Sequence, residues 1–337
     1  MQQLAEQLID CARDSGLDRI GFCAAVPLPS ASVPPPAHRC GLEPAGLEEG
    51  DLRRLLPGAR SVVVAVIGHH YALSPPPPLP HGRIARMALG EDYHRLMHRR
   101  LAPLVQRLHQ AGHQALAGVD AWAVPERRLA EAAGLGWLGR NQALFVPGLG
   151  SFVSIGAILT DAELPAATPM RSPCGNCRRC QEACPARALH GEASLDASRC
   201  ISCLTQLKRP LSQEEATTLG PWIFGCDICQ EVCPQNAGMP LLPSPPGFPA
   251  FPELEALFGL RPALLPPAWR ESTALWRGLA VLRRNALVAA WNGTSPLGAV
   301  LRRRAASDPS PLLREQAALL APAVLPPGSP ASQPPRC

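Results

Sequence analysis

Lysine is nearly absent: Lys208 is the only one in 337 residues, so the formal net charge of +5 rests on arginine. A charge of that size in an arginine-biased chain does not by itself single out a nucleic-acid partner. Long apolar runs are missing too. The longest, such as Ser61–Ile67, fall far short of the ~20 residues a membrane helix needs, so no membrane span is expected. The first ten residues, Met1–Asp10, have no basic stretch ahead of an apolar core. No secretory signal is therefore expected, and the protein is placed in the cytoplasm. Cysteine is abundant but confined: of thirteen, most lie between Cys174 and Cys233. A disulfide scaffold would spread an even number along a short secreted chain, so metal is the better reading.

A chain of this length divides into two or three compact units. Leu4, Leu8, Cys11 and Ala12 share one helical face, and Leu17–Cys23 reads as a strand. Ser61–Ile67, β-branched and bounded by Pro57-Gly58 and Gly68, suits a buried strand. Proline crowds Pro27–Pro36 and Ser74–Pro80, which read as extended loop. Helical spacing returns over Asp92–Gln110 and Pro125–Ala133, and Ser151–Thr160 reads as another strand. Together these give an N-terminal α/β domain over residues 1–165. A cysteine-rich unit follows over 166–245, then a Leu/Ala/Arg-rich helical region over 246–325, and 326–337 is expected to be disordered. Trp276–Trp291 and Leu312–Leu320 read as a helical pair of a solenoid repeat.

The most specific signal is Cys174-x2-Cys177-x2-Cys180-x3-Cys184-Pro185, echoed by Cys200 and Cys226-x2-Cys229-x3-Cys233-Pro234. In two-cluster ferredoxins this spacing wraps three thiolates around one cubane and sends the fourth to the other. The expected sets are Cys174, Cys177, Cys180 and Cys233 for one [4Fe-4S] cluster, and Cys184, Cys200, Cys226 and Cys229 for the second. Cys203 is left outside both. A zinc module, the alternative, usually pairs one Cys-x2-Cys with another. Cys11, Cys23, Cys40 and Cys337 lack ligand spacing and read as core or surface thiols.

Gly134-Leu-Gly136-Trp-Leu-Gly139 matches the dinucleotide fingerprint, but a helix former precedes it where a strand is required. Gly134 reads instead as a helix C-cap.

Several motifs, in order, resemble the epoxyqueuosine reductase family: Leu56–Ser61, Gly90–His94, Gly118–Arg127, Ala133–Asn141, Gly150-Ser151, Leu159–Asp161, Arg199–Thr205, Phe224–Pro234 and Arg283–Leu287. The resemblance covers nearly the whole chain. It departs at Cys203 and Met87, where the family usually has aromatics, and over the proline-rich Pro27–Gly50.

The resemblance implies a multi-domain fold of mixed α+β and α/β character. It comprises an N-terminal cobalamin-binding catalytic domain, a two-[4Fe-4S] ferredoxin-like domain and a C-terminal HEAT-like helical repeat. The implied reaction is the two-electron reduction of epoxyqueuosine to queuosine at the tRNA wobble position. Electrons would come from reduced flavodoxin or ferredoxin, through the clusters, to base-off cobalamin, in a monomer. No D-x-H-x-x-G corrinoid motif is present, so cobalamin is implied by the resemblance alone.

By family position Asp120 is the general acid, a carboxyl kept protonated by burial; read locally, it is equally a turn or cap carboxylate. Tyr93, His94, Arg140, Asn141, Ser151, Ser202 and Asp227 are the candidate cobalamin contacts, with loop capping the alternative for Arg140, Asn141 and Ser151. Lys208 is a candidate tRNA contact, and Arg277, Arg283, Arg284 and Arg302–Arg304 a candidate RNA-facing surface. The competing functions are a reductive-dehalogenase-like enzyme acting on a small molecule and a non-catalytic electron carrier.

Overall fold

The computed structural model describes residues 2–26, 52–120, 126–191 and 194–320. Pro27–Pro36, Cys40, Trp122, Pro125, Cys337 and the 326–337 tail lie outside them. Among the described residues no helix is long and apolar enough to cross a membrane.

The N-terminal half is built on a four-stranded sheet in the order Arg19–Ala24, Ser61–Gly68, Val153–Thr160, Ala115–Gly118. Every pairing in it is antiparallel. The expected α/β arrangement is thereby corrected to α+β. The misleading signal was the β-branched run Ser61–Ile67, because continuous burial is the usual mark of a parallel strand. Here the strand is buried along its whole length because both sheet faces are covered. Helices Gln2–Asp14 and Tyr93–Gln110 pack on one face, and helix Glu126–Ala132 packs on the other.

Helix Tyr93–Gln110 shows how local sequence fixes this packing. The Asp92 side chain accepts from the His94 N–H and caps the first turn. Met97, Leu101, Leu104 and Leu108 then return on one face to meet the sheet, and Gly112 at φ +84 ends the helix.

The remaining chain is organised around helix Leu279–Asn292, in which every residue from Val281 to Ala290 is buried. One apolar core joins Ile84–Leu89, Leu204–Phe224 and residues from Phe248 to Leu320, so the stretch between Cys200 and Cys226 packs with the C-terminal helices. A third helix, Leu297–Ala306, stands between Leu279–Asn292 and Pro311–Leu319, where the sequence suggested a simple pair.

That packing overturns the RNA-facing role expected of several arginines. Arg283 is buried, pairs with Asp308 at 2.5 Å and donates to the Phe258 carbonyl. Arg284 is fully buried and donates to the Leu204, Leu207 and Arg209 carbonyls, and burial draws its pKa down to about 9. Arg302 donates to Ala317 and Leu320, and Arg277 to Gln206 while lying over Trp276. These side chains satisfy helix-end and loop carbonyls that a helical bundle would otherwise bury unpaired. Arg303 and Arg304 remain exposed, the latter beside Glu255.

Candidate active site

The N-terminus of helix Tyr93–Gln110 and the end of strand Ala115–Gly118 bring four titratable groups together. Tyr93 Oη donates to Asp120 Oδ2. His94 lies between two carboxylates, with Nδ1 at 2.7 Å from Asp92 and Nε2 at 3.4 Å from Asp120. The Tyr93 and His94 rings stack with centroids 4.1 Å apart. Asp120 takes the left-handed conformation, φ +48, which aspartate tolerates better than most residues, and its backbone N–H donates to Glu126 Oε1 at 2.7 Å.

Burial opposes the charge on His94, but its two aspartates outweigh that and lift its pKa to about 9. Burial also opposes ionisation of Asp120, yet hydrogen bonds from His94, Tyr93 and Glu126 hold it below the usual carboxylate range. Glu126 goes the other way: burial, then the Asp120 charge, push it up to about 9. Burial thus favours a proton on Glu126 more than on Asp120. The carboxyl that keeps its proton is Glu126, because two neighbouring carboxylates cannot both ionise cheaply.

Asp120 retains 50% of its side-chain surface although burial is the strongest influence on its pKa. The carboxylate is therefore half open to solvent while the groups around it crowd it. Arg127 is in the same position, exposed at its surface yet with its pKa lowered by burial. It senses the charges of Asp120, Glu126 and Cys200, so it lies between the carboxyl pair and the second cysteine set.

The hairpin Trp137–Phe145 connects the cleft to the cysteines. Gly134, φ +66, closes helix Glu126–Ala132 by donating to the Glu131 carbonyl, the C-cap the sequence indicated. At Gly136 a Cβ would sit 1.8 Å from the Phe145 carbonyl oxygen, so only glycine allows the two strands to close. The fingerprint-like glycines thus shape a hairpin. At its tip Arg140 donates to the Gly175 carbonyl at 2.7 Å, Asn141 to the Cys229 carbonyl at 3.2 Å, and the Gln142 carbonyl accepts from Arg127 at 2.6 Å.

The cysteines of the expected sets lie close enough to influence one another, both within the sets and across them. Burial, then the charge of Cys233, raises the Cys180 thiol; Cys233 in turn senses Cys174 and Cys177. Burial pushes Cys229 up to about 12, with Cys200, Cys180 and Cys184 adding to it, and Cys226 senses Cys229 and Cys200. Thiols that each oppose a neighbour's ionisation fit a cationic cluster that compensates several thiolates at once. Cys203 is buried on the short helix Ile201–Leu204.

A family model for the 4Fe-4S double cluster binding domain matches residues 173–236, and one described as Epoxyqueuosine reductase QueG, DUF1730, matches residues 50–121. The epoxyqueuosine reductase of Bacillus cereus is 32% identical over 313 residues, spanning 86% of this chain and 80% of the relative. The chain belongs to the epoxyqueuosine reductase family. It is accordingly an oxidoreductase with a double 4Fe-4S binding domain.

A crystal structure of epoxyqueuosine reductase with a tRNA-Tyr epoxyqueuosine-modified stem loop superposes with a TM-score of 0.87 at 30% identity, over 94% of this chain and 89% of that one. The Bacillus subtilis epoxyqueuosine reductase, solved with an aspartate-bearing catalytic loop swung out of the active site, gives 0.86 at 30% identity over the same shares. A reductive dehalogenase shares only the fold, with a TM-score of 0.50 and 18% identity over 69% of this chain and 32% of that one.

Of the expected cofactor contacts, Tyr93 and His94 join Asp120 in the cleft. Arg140 and Asn141 instead tie the hairpin to the cysteine loops. Ser151 is buried, donates from Oγ to Gln230 and accepts from Asn236. Asp227 is buried and accepts from the Arg86 backbone and guanidinium, with burial pushing its pKa up to about 6. These four side chains have protein partners. Ser202 is half-buried beside Cys200, and Lys208 is exposed. Glu126, Arg127 and Gln142 escaped assignment. The first two stood within the family motif, but nothing in their spacing marked a carboxyl that keeps its proton.

Proposed function

We propose that this chain reduces epoxyqueuosine in tRNA to queuosine, with Asp120 as the proton donor and a cobalamin held in the cleft between the sheet domain and the second cysteine set. The observation that carries the reading is the convergence on the Asp120 carboxylate of three proton-bearing groups: Tyr93 Oη, the His94 imidazolium and the Glu126 carboxyl. Removing the epoxide oxygen as water requires two electrons and two protons, and a carboxylate with protonated neighbours can take a proton from Glu126 and pass it on. Tyr93 and His94 orient Asp120, while Glu126 holds the spare proton.

The residues fit cobalamin on one further count. His70 Nδ1, Trp137 Nε1 and Gln142 Nε2 are buried without a partner, and buried polar atoms normally have one. Gln142 and Trp137, with Arg127, would meet the amides and phosphate of the corrin. When bound, cobalamin supplies a cobalt centre able to deliver electrons to the epoxide. Cys174, Cys177, Cys180 and Cys233, and Cys184, Cys200, Cys226 and Cys229, would hold the clusters that feed it. The electron donor is a one-electron protein, and the enzyme acts as a monomer in the cytoplasm, its HEAT-like C-terminal helices beside the RNA.

The test is mass spectrometry of nucleosides after anaerobic incubation of reconstituted protein with epoxyqueuosine-containing tRNA and a strong reductant. Conversion to queuosine that requires added cobalamin is expected. Conversion of neither tRNA nor its stem loop, with clusters and cobalamin bound, would remove the proposal.

A further inference from the structure

The two cysteine sets differ in their access to solvent. In the second set Cys184, Cys200, Cys226 and Cys229 are all partly buried. Cys184, Cys200 and Cys226 also pack against the apolar cluster of Ala85, Ala186, Ala188, Ile201 and Trp222. In the first set Cys177 is exposed, and so are its neighbours Gly175, Asn176, Arg178 and Arg179.

The charge around that exposed thiol has one sign. Arg171, Arg178, Arg179 and Arg187 are all exposed, against the single acid Glu182 between residues 171 and 187. Arg178 and Arg179 lie between Cys177 and Cys180, Arg171 stands three residues before Cys174, and Arg187 N–H donates to the Cys184 carbonyl. Several exposed arginines elsewhere are paired, as Arg99 is with Glu91, Arg209 with Glu215 and Arg304 with Glu255. No acidic side chain of the described residues neutralises any of these four.

We infer that the surface formed by Arg171, Arg178, Arg179 and Arg187 around Cys177 is the docking site of an acidic protein that donates one electron at a time. The inference rests on the two-cluster reading above. An exposed ligand on one set and a second set packed against an apolar cluster make the first set the entry point. Unpaired arginines around an entry point select and steer an acidic partner. Each encounter oxidises the donor by one electron and reduces the protein by one, so two encounters supply the pair that the epoxide consumes. RNA is also an anion, but its modified base must reach Asp120, whereas a donor gains from touching the exposed cluster ligand.

The experiment uses the reconstituted full chain, with reduced flavodoxin as the acidic probe and dithionite as a small reductant, following cluster absorbance by stopped flow. In Arg178→Glu/Arg179→Glu the flavodoxin rate should fall at least about tenfold and lose its salt dependence. Reduction by dithionite and affinity for the tRNA stem loop should not change. Arg171→Glu, outside the ligand run, is made alongside so that any disturbance of cluster assembly does not decide the result, and Arg178→Lys/Arg179→Lys should keep the rate. An unchanged flavodoxin rate in both glutamate variants overturns the inference. A fall in stem-loop affinity with the flavodoxin rate intact also overturns it, making the surface an RNA contact. Failure of dithionite to reduce the wild-type clusters would instead strike the two-cluster reading.

Discussion

Glu126 Oε1 accepts the backbone N–H of Asp120 at 2.7 Å. That hydrogen bond fixes the turn that presents Asp120, and burial, then the Asp120 charge beside it, keeps the proton on Glu126.

The pair makes activity depend on pH from the alkaline side. Glu126 and His94 both have pKa values raised to about 9, so both are protonated at neutral pH and lose their protons as pH rises through that value. Turnover of the wild type should fall on an alkaline limb near pH 9. Glu126→Gln, which cannot give up a proton, should lower kcat about 10²-fold or more, within the usual contribution of acid–base catalysis. A pH–rate profile in which this variant matches the wild type would rule out the reservoir role.

Asp120→Asn keeps the side chain's shape but removes the proton relay. It should retain its clusters and bind cobalamin with unchanged affinity, measured by absorbance titration, while queuosine formation drops below detection. Full activity would take Asp120 out of the proton-donor role.

The His94 shift also has a consequence for stability. A histidine whose folded pKa lies above its unfolded value stabilises the fold fully below about pH 6.5, the unperturbed value, and loses that contribution as pH rises through about 9. Thermal unfolding followed between those limits should show decreasing stability for the wild type. In His94→Asn the decrease should be shallower.

Cys180 senses the charge of Cys233 across 53 positions of sequence separation. Cys180→Ala, Cys233→Ala and the double variant should therefore each lose the same cluster, leaving about four of about eight irons, while Cys203→Ser keeps all of them. Loss of about four irons in Cys203→Ser would make Cys203 a ligand and break the pairing.

Two arginine pairs in the C-terminal helices should differ sharply. Arg283 and Asp308 are 8% and 5% exposed, so Asp308→Ala strands a buried cation and should cost ~3–5 kcal/mol by chemical denaturation. Arg304 and Glu255 are 43% and 55% exposed, and Glu255→Ala should cost no more than ~1 kcal/mol.

What the sequence determined by itself was whatever local spacing encodes. Cysteine intervals fix which thiolates can reach one cubane, and apolar periodicity placed Tyr93–Gln110 and Ser61–Gly68 within a residue or two. The helix former before Gly134 was enough to reject a dinucleotide site. Only the tertiary structure decided which polar groups were already engaged. Arg140, Asn141, Ser151 and Asp227 looked available in their loops, yet each meets its partner across 35 to 141 residues of chain. Arg283 and Arg284 read as part of an RNA-facing surface, but neighbouring helices enclose them. The antiparallel order of the sheet and the proton kept on Glu126 beside Asp120 have the same origin. Burial and charge coupling depend on what the fold brings alongside a residue, and a one-dimensional pattern records only its neighbours in the chain.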